Sequence, residues 1–435
     1  MEFKQYPSYK NSGVEWLGDV PEHWQIVRTK DIFNHRKEEA LEDDEIVTAF
    51  RDGQVTLRKN RRTDGFTNSI KEHGYQHINS GDLVIHEMDA FAGAIGVSDS
   101  SGKSTPVYSV CYAKNENINH HFYSHFFRTM AKTGFINSLA KGIRVRSTEF
   151  RWNESRNVYL ALPPQIDQQK IVSFLNTETT RIDNLIAKQE KLIELLEEQR
   201  KSIISHAVTK GLDPNVPMKD SGVEWLGNVP EHWNISKLRY YLDGIKDGTH
   251  GTHVSTTEGE LLLSGKNIKN GKLVINDNER KISLEDHQKI TANGFPKKGD
   301  LLINVVGTIG QSCIYELDTP ISFQRSVCFL RANNKLEPNF LQRILESNLS
   351  QNQLKILTNK STIGGVYMGD LVELIIPVVP IKEQNKITDY LDKEIQQIVN
   401  CIDKQKLLIE KLKEYRASVI SHAVTGKIDI RELVA

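Results

Sequence analysis

The chain has 435 residues, 38% of them hydrophobic and 26% charged, which allows two or three domains with ordinary cores. Its 56 basic and 56 acidic residues cancel, so it is not a uniformly basic polyanion binder, and a nucleic-acid surface would need charge segregated on one face. Cys111, Cys313, Cys328 and Cys401 lack paired spacing, and there is neither an 18-residue apolar run nor a basic-then-apolar start. The composition therefore excludes a disulfide framework, a zinc site, a signal peptide and a membrane span, and predicts a reducing, cytoplasmic setting with buried cysteines.

In chain order, the first recognisable element is S-G-V-E-W-L-G-D-V-P-E-H-W, Ser12 to Trp24. Its tryptophans and Pro21 predict an irregular strap anchored on a core by aromatic rings. A region of strand-like runs follows, among them G-D-L-V-I at Gly81 and an I-G pair at Ile95 and Gly96, with a helical patch over His121 to Lys132.

The stretch Pro163 to Thr209 then reads as one long helix. Ile171, Leu175, Ile182, Leu185, Leu192, Leu196 and Ile203, with Glu178, Gln189, Gln199 and His206 in the same frame, predict an a/d heptad seam. Gly211 to Val216 is a linker by its Gly and Pro. The strap returns over Ser221 to Trp233, with Asn228 in place of Asp19, and a second region carries G-D-L-L-I at Gly299, the pair Ile309 and Gly310, and a helical patch over Pro338 to Leu349.

Pro380 to Thr425 repeats the helix 216 residues on (Ile171 to Ile387), closed by Gly426. Its seam is Ile387, Leu391, Ile398, Cys401, Leu408, Leu412, Tyr415 and Val419, interrupted by Glu394, Gln405 and His422. The plan is strap, region, helix, twice over. It predicts an α+β chain with segments at 1–162, 163–211, 212–379, 380–428 and a tail at 429–435. Two seams of equal length predict an antiparallel coiled coil about a pseudo-two-fold axis, with Gln189 facing Gln405 as a polar layer that fixes register.

Enzyme chemistry is not legible. G-V-S-D-S-S-G-K-S, Gly96 to Ser104, has five residues between its glycines where a phosphate loop has four, and reads as a polar turn. His120/His121 and His250/His253 lack companion ligands and are expected to face solvent or nucleic acid. His206 and His422, on seam positions near helix ends, are expected to be structural. No methyltransferase, nuclease or hydrolase motif stands out.

Basic clusters remain. The first region offers Arg51, Arg58, Lys59, Arg61 and Arg62 against Asp52 alone, then Lys141, Arg144, Arg146, Arg151 and Arg156. The second offers Lys246 and His250 around D-G-T-H, Lys266, Lys269 and Lys272 in G-K-N-I-K-N-G-K, Arg325, and Lys360 with Tyr367 beside T-I-G-G-V-Y. Interleaved Asn, Gln, Gly and aromatics suit phosphate and base-edge contacts.

Together the W-L-G-x-V-P-E-H-W straps, the helix starts P-P-Q-I-D-Q-Q-K-I and P-I-K-E-Q-N-K-I, D-G-T-H at Asp247 and the G-D-L-L-I run resemble the DNA-specificity subunits of type I restriction-modification systems. The family's helix start is P-P-x-x-E-Q-x-x-I, from which this chain departs at Asp167 and Ile381. The resemblance implies two globular target-recognition domains, each reading half of a bipartite double-stranded DNA site, with the paired helices as spacer. It also implies two docked methyltransferase subunits that carry S-adenosylmethionine, and restriction subunits that join for cleavage, with no catalysis by this chain. A self-sufficient restriction or modification enzyme and a coiled-coil assembly factor without DNA binding are the alternatives.

Overall fold

The computed structural model describes residues 3–61, 73–139, 150–292, 294–360 and 364–433. They divide into two units, Met1–Lys188 with Leu407–Ala435, and Gln189–Lys406. The division runs through both long helices. Each unit therefore takes one half of each helix, and the five consecutive segments expected from the sequence are not the units of packing. The stretch expected to be a tail joins the first unit's core, where Ile430 is buried and Asp429 bridges to Lys4.

The first unit contains strands β1 (Phe33–His35), β2 (Leu83–His86), β3 (Ile95–Val97) and β4 (Tyr108–Ala113). They form an antiparallel sheet of order β1-β4-β2-β3. Side chains alternate across it: Leu83 and Ile85 join one core with the aromatic face of helix α1 (His120–Lys132), while Val84 joins another with Val47, Val55 and Val110. Burial on both faces is why the run reads as continuously apolar. The I-G pair has a steric cause, since a Cβ on Gly96 would lie 2.0 Å from Gly53 O.

The second unit repeats the topology with β5 (Leu242–Asp247), β6 (Leu301–Asn304), β7 (Ser312–Ile314) and β8 (Val327–Ala332) in the order β5-β8-β6-β7. In both units the Asp of G-D accepts a backbone N–H three residues earlier and a two-pronged Arg. Asp82 takes Asn79 N–H (2.8 Å) and Arg36 (2.7 and 3.0 Å). Asp300 takes Lys297 N–H (2.7 Å) and Arg331 (2.9 and 2.6 Å).

The long helices are α2 (Gln165–Lys210) and α4 (Ile381–Val424), with α3 (Pro338–Glu346) between them. Burial along them follows the expected heptads only in part: Ile171, Leu175 and Ile182 are buried on α2, and Ile387, Leu391, Ile398 and Val419 on α4. Leu192, Gln199 and His206 are exposed on α2, and so are Cys401, Leu408 and His422 on α4. The inward series is instead Ile171, Ile182, Ile193 and Ile204, matched by Ile387, Ile398, Ile409 and Ile420. All are buried except Ile193, which is half-buried. These steps are eleven residues, or 3.67 per turn, closer to the natural helix than 3.5. The expectation for Cys401 and the two histidines fails with the frame. The other three cysteines are buried as expected.

Each helix start is tied to its own unit by two adjacent side chains. Gln168, fully buried, donates to Asn117 O (3.1 Å) and Pro163 O (2.9 Å) and accepts from Asn119 N–H (2.9 Å). Gln384 does the same with Lys335 O (2.9 Å), Val379 O (2.6 Å) and Glu337 N–H (2.8 Å). One residue earlier stands an acid that receives the strap. Glu383 accepts from His232 Nε2 (2.8 Å) and Trp233 Nε1 (3.1 Å).

Asp167 accepts from His23 Nε2 (2.9 Å), but Trp24 Nε1 is buried without a partner. The shorter carboxylate serves one donor where Glu383 serves two. Trp16 packs edge-on against Phe126 (5.4 Å) while its repeat Trp225 is 53% exposed, so the expected aromatic anchoring holds for three of the four strap tryptophans.

The Asp167→Glu substitution is expected to satisfy Trp24 Nε1 and stabilise the chain by about 1 kcal/mol. Glu383→Asp is expected to cost a similar amount. Thermal unfolding of both variants measures the pair, and a destabilised Asp167→Glu would contradict this account.

Candidate nucleic-acid interface

In the first unit Arg51, Arg58, Lys59 and Arg61 sit on one hairpin and the turn after it. Val47–Ala49 pairs with Val55–Leu57, and a 3-10 turn covers Arg58–Asn60. The hairpin places four cations within a dozen residues, but it also gathers acids that the sequence window hid. Arg51 pairs with Asp89 (2.9 Å), Lys59 with Glu45, and Arg61 with Asp52 (2.7 Å). Arg61 also lies over the Phe50 ring at 4.2 Å, and Arg58 Nε donates to Thr48 Oγ1 (3.2 Å).

These pairs are solvent-exposed, where ion pairs contribute little to stability. The cations can therefore exchange a carboxylate for a phosphate at small cost. Arg151 is exposed beside Glu87 at 4.0 Å, outside this group. Arg62, Lys141, Arg144 and Arg146 lie outside the described residues, as does the side chain of Lys360.

In the second unit several candidates converge through backbone hydrogen bonds. Arg325 N–H donates to Thr249 O (3.0 Å), Gly265 N–H to Ser326 Oγ (3.0 Å), Val305 N–H to Ser326 O (2.9 Å) and Val366 N–H to Val305 O (2.9 Å). This stitching brings His250, Lys266, Arg325 and the half-exposed Tyr367 onto neighbouring loops. Lys246 and His250 also line a cavity of about 360 Å³ with Thr249, His253 and Lys289 around Phe323 and Phe329. Lys289 went unnoticed in the sequence because its helix, Leu284–Ala292, lies some forty residues from D-G-T-H.

His250 donates to Asp247 (2.6 Å) and Lys246 to Gly294 O (3.2 Å). Lys269 is exposed on an Asn270-Gly271 hairpin turn with φ of 51° and 76°, the left-handed pair that such turns need. N-G was a turn signal that went unused. Lys266 pairs with the buried carboxylate of Glu279 (2.8 Å) and, with Asn276 and Asn267, holds it down at a pKa of about 2. Its charge is therefore structural before it is available to a ligand.

His120 departs from the solvent-facing expectation. Its Nδ1 donates to Gly81 O and its Nε2 accepts Ala113 N–H (3.0 Å), pinning the turn at Gly81 to the end of β4. The stretch Gly96 to Ser104 is a turn with Ser98 Oγ on Ser100 O (2.6 Å), ending in a strand over Gly102–Ser104. Gln189 and Gln405 are both half-buried in the second unit. Among the described residues, no hydrogen bond joins them, and no group of three or more His, Cys, Asp or Glu is placed to hold a metal. No helix is long and apolar enough to cross a membrane.

One sheet topology and one long helix, each present twice and accompanied by exposed cations on loops, define a duplicated α+β architecture. The model of the type I restriction modification DNA specificity domain matches residues 21–197 and 257–411, and the chain belongs to that family; it is a specificity subunit. It is similar to the type I restriction enzyme MjaVIII specificity subunit of Methanocaldococcus jannaschii, 24% identical over 428 residues that cover 95% of each chain. The EcoBI specificity subunit of Escherichia coli is 24% identical over 310 residues, 67% of this chain and 63% of that one.

Among solved structures, a chain from work on assembly and conformational transition of the type I R-M system aligns with a TM-score of 0.69 at 18% identity. It covers 94% of this chain and 99% of its own. The HsdS subunit from Thermoanaerobacter tengcongensis aligns at 0.54 and 18%, over 94% and 98%.

One lysine and one arginine separate structural from binding charge. Lys266→Ala strands the Glu279 carboxylate and is expected to cost roughly 1–2 kcal/mol of stability. Arg61→Ala is expected to leave stability within ~0.5 kcal/mol and to lower the slope of log K against log salt for duplex binding by about one. Denaturant unfolding and a salt titration of duplex affinity on both variants measure the contrast.

Proposed function

We propose that each unit reads one half of a bipartite duplex site and that α2 and α4, paired antiparallel, set the distance between the halves. The observation that carries this is the duplication itself: one sheet topology, one helix start and one strap, each present twice on a chain of a DNA-specificity family. Contacts inside each unit support antiparallel pairing. In the first, Arg416 pairs with Asp183 (2.8 Å) and Tyr415 hydrogen-bonds Glu178. In the second, Gly211 lies against Glu383.

Gly211 stands twenty-two residues after Gln189 and Glu383 twenty-two before Gln405. Glu178 stands eleven before Gln189 and Tyr415 ten after Gln405. This register supports Gln189 facing Gln405, as the sequence predicts. A helix of 46 residues spans on the order of 70 Å at ~1.5 Å per residue, enough to hold two readers more than a turn of duplex apart.

Two methyltransferase subunits dock on the helices, bringing S-adenosylmethionine and the methyl-transfer chemistry, and restriction subunits complete the cleaving assembly. Docking has a candidate surface. Leu192 and Leu195 in the second unit and Leu407 and Leu408 in the first are between 39% and 54% exposed on regular helix, where a solvated face would carry charge.

Expression with partner methyltransferase subunits, followed by genome-wide mapping of methylated bases, is expected to give a two-part motif with a fixed gap. A continuous motif, or methylation by the chain alone, would overturn the proposal. Removing one eleven-residue repeat from each helix keeps the buried face in phase and is expected to change that gap, whereas removing nine, about two and a half turns, puts the face outward and abolishes assembly. Leu192→Glu with Leu408→Glu is expected to leave the fold intact and weaken methyltransferase capture at least tenfold; unchanged capture would remove these leucines from the docking surface.

A further inference from the structure

The first unit contains a cavity that the DNA-reading surface does not use. It measures about 200 Å³ and is lined by His125, Arg128, Thr129 and Lys132 of α1 and by Ile420 and Ser421 of α4. His125, Arg128 and Lys132 stand at i, i+3 and i+7, which puts them on one helix face, and Arg416 of α4 adds a further positive charge close enough to act on all three.

Among the described residues, no carboxylate forms an ion pair with His125, Arg128 or Lys132. His125 Nδ1 and Arg128 Nε are closed off from solvent and have no hydrogen-bond partner. Asp52, the one acid that acts on Arg128, accepts two hydrogen bonds from Arg61 (3.0 and 2.7 Å). Asp183 accepts both of those from Arg416 (2.8 and 3.1 Å). His121, on the same helix, adds to the like charge.

Burial first, then Arg128, His121, Arg416 and Lys132, push His125 down to about 4. Burial and the neighbouring cations lower Arg128 and Lys132 as well. The guanidinium of Arg128 is also wedged in place, since a Cβ on Gly53 would lie 2.3 Å from its Nη1. A partly buried guanidinium and a neutral N–H donor that face one small space, with a lysine at its edge, are an arrangement that binds an anion at low ordering cost.

We propose that this cavity binds an oxyanion of the phosphate class, with Arg128 and His125 as the inner donors, Lys132 at the mouth and Ser421 as a neutral donor. A divalent oxyanion answers several converging cations, and Arg offers it a planar fork. The phosphate has two sources, the free anion or the backbone of bound DNA.

The test uses the full chain, titrated with inorganic phosphate against chloride at matched ionic strength. Thermal unfolding and calorimetry are followed for the wild type, Arg128→Gln and Lys132→Gln. The wild type is expected to gain roughly 3 °C near saturation and to give a binding isotherm. Both variants should lose at least half of that gain, whereas a general salting-out effect of phosphate would persist in them.

Without phosphate, Arg128→Gln is expected to melt no lower than the wild type, because it removes an unpaired buried cation. Lys132→Gln, an exposed position, keeps the test valid if the other variant fails to fold. Repeating the titration with duplex present distinguishes the sources: loss of the phosphate response identifies the DNA backbone, and its retention identifies the free anion. Equal shifts in all three proteins with no binding heat would overturn the proposal.

Discussion

The structure depends on one constraint, that two helices of 46 and 44 residues must each keep a single face turned inward from end to end. A helix advances about 100° per residue, so a seven-residue pattern lags by about 20° each repeat, while an eleven-residue pattern gains about 20° over a longer stretch. The stripe through Ile171, Ile182, Ile193 and Ile204 therefore runs nearly along the helix axis. Ile387, Ile398, Ile409 and Ile420 do the same. Because the drift is small, one helix serves the first unit with one half and the second unit with the other, using the same face.

That sharing explains why the units are discontinuous in sequence. Lys210, ending α2, donates to Leu226 O (3.2 Å) and Asn228 O of the second strap. Lys427, after α4, donates to Leu17 O (3.0 Å) and Asp19 O of the first. Each strap is thus held by the end of one long helix and by the carboxylate that opens the other, Lys210 and Glu383 for the second strap, Lys427 and Asp167 for the first. Gly426 fits this arrangement. It has a φ of 72°, and a Cβ there would meet Pro21 at 2.4 Å and Trp24 at 3.0 Å. The helix can stop against the strap only at a residue without a side chain.

The duplication, the straps, the G-D strands and the helix starts were legible because each is a local pattern. Asp82 and Gln168 each have one partner at a spacing the motif fixes, Asn79 N–H and Pro163 O. What was not legible depended on distance or phase. The heptad frame chose Leu192 and Leu408 because they are apolar, and sequence alone does not say whether an apolar helix position faces its own core or another surface. Charge windows misjudged Lys266 and Arg51 because Glu279 and Asp89 arrive from elsewhere in the chain. The cavity at Arg128 was invisible for the same reason, since α4 reaches it from nearly three hundred residues away.

The misplaced leucines carry the last step. On α2, Ile182, Ile193 and Ile204 occupy one side, while Leu192 and Leu195 lie off it and are exposed. A helix that only had to join two units would gain nothing from those leucines, because lysine or glutamate there would serve solubility and helix propensity equally well. Leu407 and Leu408 on α4 repeat the feature in the other unit. The two faces answer different requirements. The isoleucines, β-branched and inward-facing, fix phase inside each unit, and the leucines leave exposed the apolar surface proposed for docking. A sequence that mixes both on one helix reads as a heptad because the two faces are superimposed, and it is the burial of each position that separates them.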